Sequence, residues 1–244
     1  MTFLTLPWGR LAYSDTGGAG VPLLFLHGTG CDSADWAGVF AALPKARRVI
    51  AMDFRAHGES DRPTGAFTLA DLASDVLALL DHLALRRVVL VGHSLGGMVA
   101  MPVASRTPVV TGLVLLEGWT TLTAAGRAFK GTRFYGALPA ARADTIRTKA
   151  EATRLRIVRP DWDQFWTSVQ QADATAFLES TRIPILEVYG SMGRTDQTAA
   201  LRGVPARPEI EWVWVEGAGH YLPHEVPAAV AAACERGLER AAAR

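Results

Sequence analysis

"VVLVGHSLGG" spans residues 88–97, and its reading decides the rest of the chain. Its first half is an unbroken aliphatic run, the composition of a strand buried on both faces. Its second half, continued in "SLGGMVAMPVASR" (94–106), reads as a helix. The strand must therefore turn into the helix within one residue, and that residue is Ser94. So tight a turn leaves no room for side chains beside it, and Gly92 and Gly96 supply none. The serine oxygen would be held up at the sheet edge, at a helix N-terminus that favours developing negative charge. A bare Gly-x-Ser-x-Gly match is weak, but a strand before it and a helix after it make it strong.

Outward from this stretch, short apolar runs alternate with helical patterns. "VPLLFLHG" (21–28), "RRVIAMD" (47–53), "RRVVLVG" (86–92), "GLVLLEG" (112–118), "IPILEVYG" (183–190) and "EIEWVWVEG" (209–217) each read as a strand ending in glycine or a polar residue. "TLADLASDVLALLDHL" (68–83) has helical spacing behind a Thr68-x-x-Asp71 start, and 226–243 is a second long helix. Buried strands alternating with helices predict an α/β fold with a mostly parallel central sheet and helices on both faces. "FLTLPWGRLAYSDTG" (3–17) reads as an antiparallel hairpin turning at Pro7–Gly9. The stretch from Trp119 to Thr181 contains no convincing strand. It carries Phe129, Phe134, Tyr135, Trp162, Phe165 and Trp166, with helical patterns around 139–157. The expected division is a core of 1–118 and 182–244 with a helical lid at 119–181.

The 244 residues suffice for one large α/β domain, and 49% hydrophobic with 20% charged residues is a folded, globular balance. A formal net charge of +1 provides no field for nucleic acid or an anionic membrane. No apolar run approaches the ~18–20 residues that span a bilayer. The N-terminus lacks the basic start and apolar core of a signal peptide. A cytoplasmic protein with reduced thiols and a small-molecule partner is the expectation, without nucleic acid or membrane. Cys31 and Cys234 form no metal-ligand pattern, and Cys31 reads as a small packing residue.

A serine hydroxyl needs a base to take its proton. "VWVEGAGHYLPHEVP" (213–227) places His220 on a Gly-rich loop after the last strand. His224 lies where the final helix begins and reads as structural. His27 and His57 read as hydrogen-bonding scaffold.

With these motifs assembled, the chain resembles the α/β-hydrolase superfamily over nearly its whole length. "LLFLHGTG" (23–30) is similar to the family's His-Gly oxyanion loop. "DFRAHGESDRP" (53–63) is similar to its Asp-x-Arg-Gly-x-Gly-x-Ser stretch, with Ala56 where glycine is usual. "GHSLGG" resembles the nucleophile elbow, and "GAGHYLPHEVP" the histidine loop. The resemblance implies Ser94 as nucleophile and His220 as general base. It implies an oxyanion hole from the N–H groups of Leu95 and of Thr29, with Gly30 as the alternative to Thr29. Asp53 and Arg55 would hold loops together. No metal or cofactor is implied.

The third triad member is the open point. The family usually supplies an Asp in a Gly-x-x-Asp pattern after the strand that here is "IPILEVYG", but three residues beyond Gly190 stands Gly193. Asp196 follows, just before "QTAALR", where it looks like a helix N-cap. In "LVLLEGWT" (113–120) Glu117 ends a buried strand, where a charge is costly unless partnered. That logic favours Glu117 as the acid, with Asp196 as the alternative and Glu187 a distant third. Serine at the elbow implies acyl transfer on an ester-like carbonyl, rather than the carboxylate-nucleophile chemistry of dehalogenases and epoxide hydrolases. Hydrolysis of a carbon–carbon bond or of a lactone would use the same Ser and His, and a non-catalytic receptor or accessory protein is the alternative of a different class. Trp119, Phe134, Trp162 and Trp166 are the candidate substrate contacts. Arg127, Lys130 and Arg133 read as a solvated face rather than a site for an acidic substrate.

Overall fold

The computed structural model describes residues 1–124, 134–193 and 203–243. Eight strands form one sheet in the order β1-β2-β4-β3-β5-β6-β7-β8. β1 (Thr2–Leu6) and β2 (Gly9–Asp15) make the antiparallel hairpin, and β2 also runs antiparallel to β4 (Val49–Met52). β3 (Leu23–Leu26), β4, β5 (Val88–His93), β6 (Val110–Leu116), β7 (Ile185–Gly190) and β8 (Ile210–Val215) are parallel to one another.

The alternation of side chains along each strand builds two cores. Leu24, Leu26, Leu90, Leu113 and Leu115 face α2 (Leu69–His82) and α3 (Leu95–Arg106). Leu23, Phe25, Val89, Val91, Val114 and Leu116 face α1 (Ala37–Ala42) and a C-terminal helix over Pro227–Ala242. Because both faces are covered, β3, β4 and β5 are buried at every residue, which is why they read as unbroken apolar runs rather than alternating ones. α2 starts where its sequence predicts. Thr68 Oγ1 accepts from the Asp71 N–H, and the Thr68 N–H donates to Asp71 Oδ2 at 2.8 Å. No element is legible in the sequence between residues 31 and 46. The structure has a 3-10 turn there, Ser33–Trp36, capped by Asp32 and leading into α1.

Between β6 and β7 the chain forms α4 (Ala140–Leu155), α5 (Arg159–Gln171) and α6 (Thr175–Ser180). Ile157, Phe165, Val169 and Leu178 of this stretch join the same core as α2 and α3. Ala143 and Ile146 of α4 belong to a small separate cluster with Cys31, Leu138 and Tyr221. The stretch is thus anchored to the sheet layer along one side and to the loops above the strand ends along the other. α7 (Leu222–Glu225) and α8 (Pro227–Ala242) complete the chain. Among the described residues no helix is long and apolar enough to cross a membrane.

The strand order matters for function. From β3 the chain moves one way to β4 and then back past β3 to β5. The loops leaving β3 and β5 therefore diverge and open a crevice at the C-terminal ends of the strands, where ligands bind in open α/β sheets.

Candidate active site

Ser94 stands at this crevice, at the junction of β5 and α3. Its backbone is at φ 52, ψ −114, a left-handed conformation that costs a non-glycine residue free energy and persists only where its surroundings over-determine it. Three constraints do so here. The Ser94 N–H donates to Leu116 O at 2.9 Å. A Cβ on Gly96 would stand 2.0 Å from the Leu26 carbonyl oxygen, and one on Gly92 would stand 2.5 Å from the Gly96 oxygen. β5 can reach α3 this abruptly only with glycine at both positions.

A cavity of ≈ 290 Å³ lies over Ser94. Thr29, Ser94, Leu95 and His220 line it, with Cys31, Met98 and Tyr221. Leu95 is the first residue of α3, so its N–H has no intrahelical acceptor and is available to a ligand. Thr29 follows β3 across the crevice. Gly30 does not line the cavity; at φ +73 it passes beneath α4, where a Cβ would stand 2.5 Å from that of Ala150. Of the aromatic residues expected to meet substrate, Trp119, Phe134 and Trp166 line the cavity. Trp162 does not. One turn before Trp166 on α5, it is directed at Phe165 and Trp166, with ring centroids at 6.0 and 5.8 Å, and packs against the core. The two tryptophans share one face of α5, and their positions along its axis, which composition alone does not fix, divide them.

His220 is 3% exposed, and its ring meets Trp119 at 5.5 Å and Phe134 at 4.7 Å. Its loop is tied on both sides. Glu225 accepts from the Gly219 N–H and, at 2.9 Å, from the Tyr221 N–H. The carbonyl of His220 accepts from His93 Nε2 at 2.8 Å, a bond that sets the His93 tautomer. The elbow and the histidine loop are therefore joined directly, through His93, the last residue of β5. Burial, with the neighbouring His220 second, pushes the His93 imidazole down to about 3, so it remains neutral.

Glu117 is the residue after β6. It is 0% exposed and has φ 52. Its N–H donates to Val188 O, and its Oε1 accepts from the Gly190 N–H at 2.8 Å. Its Oε2 is 3.7 Å from His220 Nδ1, an ion-pair separation longer than a hydrogen bond. Gly190 in turn leaves space for the histidine loop: a Cβ there would stand 2.1 Å from Ala218 O. The ends of β6 and β7 and the loop after β8 thus meet around one buried carboxylate. The alternative acid, Asp196, lies outside the described residues, as do Arg127, Lys130 and Arg133. Glu187 is buried within β7.

The remaining sequence candidates hold loops. His27 accepts from the Phe54 N–H at 3.0 Å and donates to Gly28 O, and His57 donates to Arg55 O. Asp53 accepts from the N–H groups of Ser33 and Glu59. Arg55 pairs with Asp75, and His224 lies 3.1 Å from Asp35. Cys31 lies in the cavity wall, but burial pushes its thiol well above the usual range and so suppresses the thiolate.

Residues 23–233 match the model of the α/β hydrolase family. The chain belongs to this family. A solved α/β-hydrolase-like chain, "Est816 as an N-Acyl homoserine lactone degrading enzyme", is 26% identical with a TM-score of 0.75, over 96% of this chain and 99% of that one. The 2-(acetamidomethylene)succinate hydrolase of Mesorhizobium japonicum is 28% identical over 86% of this chain and 85% of its own length. The dihydrolipoyllysine-residue acetyltransferase component of the acetoin cleaving system of Pseudomonas putida is 38% identical over 57% of this α/β hydrolase and 37% of its own length. Against that relative the chain spans little more than a third of the length.

Proposed function

We propose that this α/β hydrolase is a serine hydrolase of small ester-like substrates, working through an acyl-enzyme on Ser94. The observation that carries the reading is the convergence of Ser94, His220 and the buried Glu117 at one crevice, with Ser94 and His220 facing the same cavity. Ser94 Oγ attacks the carbonyl carbon while His220 takes its proton. The oxyanion is received by the N–H groups of Leu95 and Thr29, each worth about 3–4 kcal/mol in the transition state. His220 returns the proton to the leaving alcohol and then activates water to release the acid. Glu117 stabilises the imidazolium and fixes its ring. Residues 119–181 act as a lid, supplying Trp119, Phe134 and Trp166 as an apolar roof that excludes water.

The reading is tested by hydrolysis of a chain-length series of activated aryl esters by wild type and Ser94→Ala. Turnover that vanishes with Ser94 supports it. Absence of Ser94-dependent turnover on every ester refutes the ester reading and brings forward lactone or carbon–carbon bond hydrolysis, or a receptor role. Lactones merit a place in the panel because the Est816 chain, similar over nearly its whole length, is described as degrading an acyl lactone.

A further inference from the structure

A second cavity, of ≈ 480 Å³, lies beside the first. Met98 and Trp119 line both, so these two side chains are the wall between them. One face of Trp119 stacks on His220. Beyond the wall the lining is mostly apolar, with Leu69, Met101, Pro102 and Phe177 among it. Most hydroxyls there are already committed: Thr68 donates to Asp71, Ser168 to Phe165 O and Ser105 to Pro102 O. Thr120 is different. It is 2% exposed, lines this cavity, and among the described residues its hydroxyl has no hydrogen-bond partner. A buried hydroxyl left so is costly unless a ligand or water satisfies it.

The catalytic cavity alone is at the small end for a ligand site, and the second cavity extends it past Met98 and Trp119. Met98 is the residue that can let a chain pass, being unbranched with three rotatable bonds. We propose that the second cavity is the chain-binding subsite. It takes the apolar chain of an acyl substrate whose carbonyl stands at Ser94, the chain passing between Met98 and Trp119, and Thr120 hydrogen-bonds an oxygen substituent on that chain. The favoured substrates are therefore medium-chain acyl compounds carrying a keto or hydroxyl group. This inference rests on the serine-hydrolase reading of Ser94.

The test compares kcat/KM on aryl acetate, butyrate, octanoate and decanoate, and on octanoates hydroxylated at successive carbons. Wild type is run beside Ser94→Ala, Ala174→Trp and Thr120→Val, with Ala172→Phe as a second filling variant should Ala174→Trp fail to fold. Filling the cavity should lower the octanoate-to-acetate ratio about ten-fold, the equivalent of roughly two methylenes denied burial. Thr120→Val should keep that ratio on plain chains and lose about five-fold of the preference for one hydroxylated position. Ser94-dependent turnover whose chain-length profile survives both filling variants overturns the subsite and leaves the serine-hydrolase reading standing. Equal loss on plain and hydroxylated chains in Thr120→Val overturns the role of Thr120. If no ester is turned over, the proposed function falls, and calorimetric binding of decanoate to the Ser94→Ala protein decides the cavity. Binding weakened by Ala174→Trp retains it, and absent or unaltered binding removes it.

Discussion

Ser94 and Glu117 are both non-glycine residues in the left-handed region, each one step beyond a central strand. In both places the backbone turns sharply away from the sheet, and the side chain is delivered to the crevice instead of continuing the strand's alternation. For Glu117 this answers a burial problem, because the carboxylate finds the Gly190 N–H and the His220 ring. If it is the triad acid, Glu117→Gln lowers kcat by about 10⁴ on any Ser94-dependent substrate while Asp196→Asn costs little. The reverse pattern would transfer the role to Asp196. Gly96→Ala presents a different outcome: the new methyl meets a backbone carbonyl at 2.0 Å. Urea unfolding should show a loss of at least ~3 kcal/mol, the upper range for overpacking.

Among the elements, α4 is the one held most visibly by charge. Lys149 reaches Asp32 Oδ1 at 3.0 Å and Asp35 Oδ1 at 2.9 Å, and His224 approaches the same Asp35 oxygen. The cap of the 3-10 turn, α4 and the short α7 therefore share one partly buried cluster. Burial raises the Asp35 carboxyl, but His224, the Asp32 N–H and Lys149 outweigh it and hold the group ionised. Lys149→Met should cost about 1.5–3 kcal/mol, as for a charge-assisted hydrogen bond. Hydrogen exchange should locate the loss in 140–155; uniform protection there would mean that Arg156, bonded to Gly58 O and Ser60 O, suffices to dock the helix. On α2 the reciprocal cap is worth about 1 kcal/mol, the loss expected in Thr68→Ala by equilibrium unfolding.

For the whole molecule, the buried His27, His57 and His93 shape the response to acid. Burial is the leading cause in each and lowers the pKa of His27, His57 and His93, reaching about 3 for the latter two. The unfolded residues titrate near 6.5. Between about pH 6.5 and 3 the unfolded chain binds more protons than the folded one, so stability falls as the pH falls. His57 and His93 each contribute up to about 1.4 kcal/mol per pH unit in that window, and His27 acts in the same direction. Asp35, held below its ordinary value, adds a loss only once unfolded carboxylates begin to protonate. The urea midpoint should therefore drop between pH 6.5 and 4.5, and His57→Asn should shrink the drop. A flat profile over that range would contradict the assignment of neutral buried histidines.

The α/β class, the order of the strands and of the longer helices, and Ser94 and His220 as the residues to watch are legible in the residues alone. These follow from local causes: unbroken apolar runs, the Thr68–Asp71 cap, and glycines where a strand must become a helix at once. The 3-10 turn and six-residue α1 were not legible, because so short a segment gives no period to detect. Which residues line one crevice follows from strand pairing and helix packing. Glu117 and His220 are about a hundred residues apart, and what brings them together is the sheet order that sets β6, β7 and β8 side by side. His93 reaches the histidine loop through that same order. Trp166 lines the cavity and Trp162 does not because of the angle at which α5 lies on the core. Local propensity acts over a few residues, whereas a site made from the ends of several strands exists only once strand pairing has closed the distance between them.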